Sequence, residues 1–356
     1  MSRELRAVCF VEALAAHCSR LVALFFNNKN NRLLLFSQYI TAVIYSMPVI
    51  KVSHLSKQFR DVHAVNDLSF TVEEADVYGF LGQNGAGKST TIRMLLTLIA
   101  PSAGEIELFG MNLRTHRKEI LRRVGAVIER PDLYRYLSAL ENLSLFARMS
   151  GLRLRRDKLM EQLELVGLAG RAHSKVKTYS QGMKQRLGIA IALVHDPSVI
   201  ILDEPTNGLD PQGIADMRNL ILHLSRHLRK TVLVSSHLLS EIEQVASRML
   251  IIDKGKKVAE GGVAELFDPA KTVVELRMTQ MADGIEKIRG SEWAGSLQRV
   301  NADHVILQLH RDQVALLNRD LVGMGIDVTT LQPRNSLEEY FLSLTGTNQH
   351  VAAFTN

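Results

Sequence analysis

Cysteine is nearly absent: among 356 residues only Cys9 and Cys18 occur, both near the start. No disulfide framework can hold the main body, their spacing fits no zinc pattern, and a reducing compartment is the expectation. Apolar runs of membrane-spanning length are also missing. A span needs about 18–20 consecutive apolar residues, whereas Ala7 to Ala16 is broken by Glu12, Leu21 to Phe26 is short, and Leu33 to Met47 is diluted by Ser37, Gln38, Thr41 and Ser46. No clean apolar segment leads into a small-residue cleavage site, which argues against a secretory signal. Excess glycine, proline and charge are lacking too, with 23 Gly, 8 Pro, 46% hydrophobic and 22% charged residues. That composition excludes disordered, collagen-like and coiled-coil classes. The formal net charge of +6 suits an anionic partner such as a nucleotide, nucleic acid or a lipid surface, without choosing among them.

A chain of this length accommodates two or three domains. Residues 1–46 form a Leu-, Ala- and Phe-rich extension with the polar interruption Asn27-Asn28-Lys29-Asn30-Asn31. Two readings stand: Met47 is the true start, or the extension is an amphipathic membrane-surface or partner-binding segment. Residues 47–270 alternate β-branched runs with helical stretches, as an α/β domain does. Val77 to Leu81, Val124 to Ile128, Val199 to Leu202, Val232 to Ser235 and Met249 to Ile252 read as buried strands. Strand signals vanish over about 133–177, where Leu137-Leu140-Leu143-Phe146 and Leu159-Leu163-Val166 have helical spacing, so a helical insertion is expected. Residues 271–356 read as a small α+β appendage: strand Thr272 to Met278, helix Ala282 to Ile288, strand His304 to Leu309, helix Gln313 to Met324, strand Asp327 to Leu331 and a short helix Leu337 to Leu344.

Gly82-Gln83-Asn84-Gly85-Ala86-Gly87-Lys88-Ser89 satisfies the phosphate-loop pattern, placed between a strand and the helical run that Thr90 opens. Glycines at 82, 85 and 87 let backbone N–H groups, Asn84's included, converge on phosphate oxygens, and the helix N-terminus adds partial positive charge. Lys88 is placed for the β- and γ-phosphates and the Ser89 hydroxyl for Mg²⁺. Ile200-Ile201-Leu202-Asp203-Glu204 alone would read equally as a buried strand ending in solvated acids. Beside a phosphate loop, an acid at the carboxyl end of a neighbouring strand faces the ligand crevice, so Asp203 can hold Mg²⁺ and Glu204 can polarise an attacking water.

Tyr179-Ser180-Gln181-Gly182-Met183-Lys184-Gln185-Arg186 resembles the signature segment of ABC-type ATPases. With Asp203-Glu204-Pro205-Thr206, the loop Asn207-Gly208-Leu209-Asp210 and the switch-like Ser235-Ser236-His237, the order is similar to that of a complete ABC nucleotide-binding domain over about residues 49–270. The resemblance implies a P-loop ATPase fold using ATP and Mg²⁺. It implies that Phe59 stacks on adenine, that His237 contacts the γ-phosphate and orients Glu204, and that Asp210 couples two nucleotide sites. Ser180 and Gly182 would meet the nucleotide of a second copy, so a homodimer or a paired paralogue is implied.

Where most members carry glutamine after the Val124 to Ile128 strand, this chain has Glu129, as do ATPases of bacitracin- and lantibiotic-type exporters. Glu129 can still touch Mg²⁺ or water, now with charge. Gln181 and Met183 depart from the usual signature while Ser180 and Gly182 are retained, and Ser336 to Gly346 resembles the tail of the same exporter group. The resemblance therefore implies an exporter ATPase at the cytoplasmic face of the plasma membrane, peripheral, acting through a separate membrane-spanning permease on a drug or antimicrobial peptide. The alternative is a soluble ABC ATPase of nucleic acid or ribosomes; a single nucleotide domain and the short interval between Lys88 and Ser180 disfavour it, and no nucleic acid is expected as partner.

Overall fold

The computed structural model describes residues 48–266 and 272–335. The N-terminal extension, the expected helix Leu337 to Leu344 and the tail lie outside the described residues. The first region holds two sheets. Strands β1 (Ile50–Phe59), β2 (Val62–Val72), β4 (Ala103–Leu108) and β5 (Met111–Asn112) form an antiparallel sheet in the order β2-β1-β4-β5. Strands β3 (Val77–Gly82), β6 (Val124–Ile128), β7 (Val199–Asp203), β8 (Thr231–Ser236), β9 (Arg248–Asp253) and β10 (Lys256–Gly262) form the second, ordered β10-β9-β3-β8-β7-β6. The pairings among β3, β6, β7, β8 and β9 are parallel, and β10 closes the edge antiparallel to β9.

Strand periodicity explains why this second sheet sits in the middle. Side chains alternate between faces, and each face here meets its own apolar layer. Leu81, Ile200, Leu202, Val232, Val234, Met249 and Ile251 enter one core with the helices; Tyr78, Phe80, Ile201, Leu233, Leu250 and Ile252 enter a second core with the antiparallel sheet. Phe70 of β2 fastens the second layer, its ring centroid 5.8 Å from Tyr78 and 5.7 Å from Phe80. A parallel sheet covered on both faces reads as near-continuous hydrophobic runs, which is how these strands appear in the sequence.

Helices α1 (Lys88–Leu95) and α2 (Arg117–Leu121) follow β3 and β5, while α3 (Ala139–Met149), α4 (Arg156–Leu165) and α5 (Gln181–Leu193) fill the strand-free interval between β6 and β7. α3 starts where it does because Ser138 and Glu141 make a reciprocal capping box, worth about 1 kcal/mol. The two bonds from Ser138 to the Glu141 carboxylate hold that carboxyl below its usual pKa. α6 (Pro211–Arg226), α7 (Leu239–Val245) and α8 (Val263–Leu266) complete this region.

One close approach fixes how α5 lies on the sheet. A Cβ on Gly125 of β6 would lie 2.2 Å from the Ala192 carbonyl oxygen of α5, a backbone atom that no rotamer change can move. Gly125→Ala is therefore expected to lower stability by about 3 kcal/mol, the upper end for an overpacked core. A reduced urea midpoint at unchanged slope measures it; a wild-type midpoint would contradict this packing.

Residues 272–335 carry β11 (Thr272–Met278), α9 (Met281–Arg289), β12 (Leu297–Val300), β13 (Val305–Leu309), α10 (Val314–Gly323) and β14 (Val328–Asn335). Their sheet is antiparallel throughout, ordered β12-β13-β11-β14. This βαββαβ order is the ferredoxin-like split βαβ arrangement, built on its own core of Val274, Leu276, Leu307, Leu317 and Leu321. Trp293 in the link before β12 caps that core and donates from Nε1 to Asp320 Oδ2 at 3.0 Å. The sequence reading missed β12, a four-residue strand whose side chains are largely exposed.

Candidate nucleotide site

Parallel strands deliver their carboxyl ends to one edge of a sheet, where α/β folds bind ligands. The register makes this concrete: Ile128 of β6 pairs with Asp203 of β7, Asp203 with Ser235 of β8, Leu81 of β3 with Ser236, and Gly82 with Ile252 of β9. The residues that follow these strand ends, Gln83, Glu129, Glu204 and His237, therefore emerge side by side. Gln83, Glu129 and Glu204 line an open cleft of about 1150 Å³ together with Asn84, Gly85, Lys88, Ser89 and Thr90, and His237 reaches it through its contact with Glu204.

The loop Gln83 to Gly87 turns the chain from strand into helix. Gly87 is the N-cap of α1 at φ +107, and a Cβ there would sit 2.5 Å from the Ala64 carbonyl oxygen. Only glycine combines that left-handed backbone with that approach. The first N–H groups of α1 consequently face the cleft, as an anion site requires. Lys88, 5% exposed, folds back over the loop, where Nζ donates to the Gly82 carbonyl at 2.6 Å and the Gln83 carbonyl at 3.2 Å. The same ammonium lies 3.2 Å from Glu204 Oε1.

Glu204 is held on both sides. Its Oε2 is 2.8 Å from His237 Nδ1, and its own N–H donates to Ser235 Oγ at 2.9 Å. The backbone at Glu204 is left-handed, φ +49, which swings the side chain out of the line of β7 into the cleft. Ser235 Oγ in turn donates to Asp203 Oδ1 at 2.6 Å, so one hydroxyl joins both acids. Asp203 is fully buried, and its Oδ2 has no hydrogen-bond partner. A buried carboxylate oxygen left without a donor fits a divalent cation, with Asp203 and the Ser89 hydroxyl as the side chains that would hold it.

Glu129 also has left-handed backbone, φ +54, but its carboxylate is taken by Arg93 of α1 at 2.9 Å, with 61% of its side chain exposed. Gln185 Nε2 donates to the Glu129 carbonyl at 3.2 Å. Ser180 caps α5 by accepting from the Met183 N–H at 3.3 Å, and a Cβ added at Gly182 would meet nothing nearer than Leu209 Cδ2 at 3.8 Å. Asp210 caps α6, accepting from Gly213 N–H at 3.1 Å. Phe59 is 45% exposed at the end of β1, with Lys57 Nζ 4.9 Å from its ring centroid; Ala64, not Phe59, is the residue of that hairpin that lines the cleft. Ser235, Arg93 and Gln185 were not singled out by sequence reasoning for these contacts.

Comparison with known proteins agrees with this geometry. The family model described as "ABC transporter" matches residues 65–207. The bacitracin transport ATP-binding protein BcrA of Bacillus licheniformis is 42% identical over 300 residues, 84% of this chain and 97% of the relative. The chain belongs to the ABC transporter ATP-binding family. The BcrA protein of Enterococcus faecalis is 36% identical over 301 residues, 84% of this chain and 96% of its own length. A solved ATP-binding subunit of an ABC transporter matches with TM-score 0.55 at 30% identity, covering 61% of this chain and 91% of that one. This ABC ATPase binds and hydrolyses ATP. Among the described residues no helix is long and apolar enough to cross a membrane.

Proposed function

We propose that this chain is the ATP-hydrolysing subunit of an exporter of bacitracin-type antimicrobial peptides, working through a separate membrane-spanning permease at the cytoplasmic face of the plasma membrane. The observation that carries the catalytic part is the carboxylate of Glu204, gripped between Lys88 and His237 at the mouth of the cleft. The cargo class rests on the two bacitracin-named relatives and on Glu129. In this reading 47–270 is the nucleotide-binding domain with its helical subdomain at about 133–177, 271–356 is an accessory domain, and 1–46 is an extension.

Glu204 takes the proton of the attacking water, and His237 keeps its carboxylate aimed and faces the γ-phosphate. Lys88, Thr90 and the loop N–H groups of Gly82 to Gly87 hold the phosphates, and Phe59, exposed at the end of β1 outside the cleft lining, offers a π-face to a base that extends beyond the cleft. Mg²⁺ held by Asp203 and Ser89, with Glu129 nearby, would neutralise charge on the phosphate oxygens. An ion pair as exposed as Arg93 with Glu129 is worth about 0–1 kcal/mol, so Glu129 exchanges Arg93 for the nucleotide site or the permease at little cost. Ser180 and Asp210 are exposed and Gly182 is half-buried on one chain; the three act on the nucleotide held by a second copy or a paralogue, which makes the working unit a dimer.

The tagged full chain, drawn from native membranes with a slowly hydrolysed ATP analogue, is expected to bring down a polytopic membrane protein. Deleting its gene is expected to lower the bacitracin concentration that stops growth. Recovery of ribosomes or nucleic acid with unchanged bacitracin tolerance would overturn the exporter reading.

A further inference from the structure

Catalytic Glu204 and His237 stand on separate strand ends, and the structure shows what fastens the segments that carry them. Glu241 is the third residue of α7. Its Oε2 accepts from Thr206 Oγ1 at 2.7 Å and from Ser236 Oγ at 2.7 Å. Ser236 Oγ also accepts from the Leu238 N–H at 3.0 Å. His237 is thereby anchored on both flanks, at Ser236 and at Leu238. Thr206 opens the loop that runs past Asn207 and Gly208, which line the nucleotide cleft, to Asp210. The base of this arrangement is rigid: Leu239, Ile242 and Val245 bury α7 in the core, and Ile242 packs so tightly on β3 that a Cβ at Gly79 would lie 2.2 Å from its Cγ2.

We propose that Glu241 is a positioning residue for ATP hydrolysis, a carboxylate latch that makes the His237 segment and the Thr206–Asp210 loop move as one body. It rests on the assignment of His237 and Glu204 given above. Hydrogen bonds to an ionised acceptor are the strong ones, and a single oxygen receiving two hydroxyls transmits a displacement of either loop to the other. Ser235 makes a different tie, to Asp203 and Glu204 at the end of β7; Glu241 joins Ser236, the last residue of β8, to Thr206 beyond the end of β7. When the γ-phosphate draws on His237, the latch carries that motion to Asp210, and the Glu204 carboxylate between them keeps its aim.

The test uses the full chain with Glu241→Ala, Glu241→Gln, Thr206→Val and the Thr206→Val/Glu241→Ala pair, with His237→Ala as reference. Glu241→Ala is expected to lower kcat about 100-fold, the size of loss that misplacing a catalytic group by an ångström brings, with KM for ATP and the melting temperature unchanged. Glu241→Gln should recover most of kcat, because its amide oxygen accepts from the same two hydroxyls. Glu241→Ala should cost much less on top of Thr206→Val than alone, since both act on one contact. Wild-type kcat in Glu241→Ala, parallel losses of kcat and melting temperature with no rescue by glutamine, or full additivity with Thr206→Val would each overturn the latch. If His237→Ala is dead while Glu241→Ala is active, the latch alone fails; if His237→Ala is active, the underlying assignment fails whatever Glu241→Ala does.

Discussion

A Glu204→Gln chain is expected to bind ATP as tightly as the wild type and to hydrolyse it about 10³-fold more slowly, within the range for losing a positioned general base. That is a barrier increase of about 4 kcal/mol. The amide keeps the shape of the carboxylate and can still meet His237 and Lys88, so the geometry at 2.8 Å and 3.2 Å is little disturbed. What it cannot do is take a proton from water. Phosphate release measures the first effect and titration with a fluorescent ATP analogue the second. Because ATP then persists, the variant should also accumulate as a dimer on size-exclusion chromatography when ATP is present, while the wild type returns to monomer as ATP is consumed. Undiminished phosphate release would remove Glu204 from its catalytic role, and loss of ATP binding would turn it into a structural anchor.

The phosphate loop and the Asp203-Glu204 pair were legible in the sequence because each is contiguous and its setting, strand then loop then helix, is local. The five central strands were legible for a related reason: burial on both faces leaves unbroken apolar runs. The antiparallel sheet was not singled out. Only its opening, the alternation Val49-Ile50-Lys51-Val52 at the start of β1, reads as strand in the sequence; beyond it β1 carries shifts in register against β2 and its burial pattern is interrupted, so no period of two continues. The contacts of Ser235 with Asp203 and Glu204, and of Glu241 with Thr206, were illegible since these partners lie more than 30 residues apart and are brought together only by the fold. The serine pair before His237 was on the page, but not which hydroxyl served which acid. For residues 272–335 the elements could be read, while the strand order could not: order is set by which edge each crossover returns to, and nothing local encodes it. Arg93 illustrates a third limit. An arginine on a helix face is ordinarily a solvated charge, and only the left-handed turn at Glu129 brings a carboxylate to it.

Lys88→Ala is expected to abolish hydrolysis by a different route, and the contrast separates the two residues. Removing the ammonium removes charge-assisted hydrogen bonds to phosphate, each worth about 1.5–3 kcal/mol, so ATP affinity should fall about 10- to 100-fold where Glu204→Gln leaves it intact. The change also strips Glu204 of the cation beside it. With its side chain only 13% exposed, that carboxylate is left with His237 alone, and desolvation of a charge without its partner is costly. Adding Glu204→Gln to Lys88→Ala should therefore restore stability relative to Lys88→Ala, by about 1 kcal/mol of coupling, while activity stays absent in Lys88→Ala and in the double variant alike. Urea unfolding of the four members of the cycle reads this coupling. Strict additivity would mean that Lys88 serves only the phosphates and that its 3.2 Å approach to Glu204 carries no energy; a positive coupling means that the residue that binds the γ-phosphate and the residue that activates water are tied to one another, so that ATP, in drawing Lys88 to its phosphates, also frees Glu204 to take the proton.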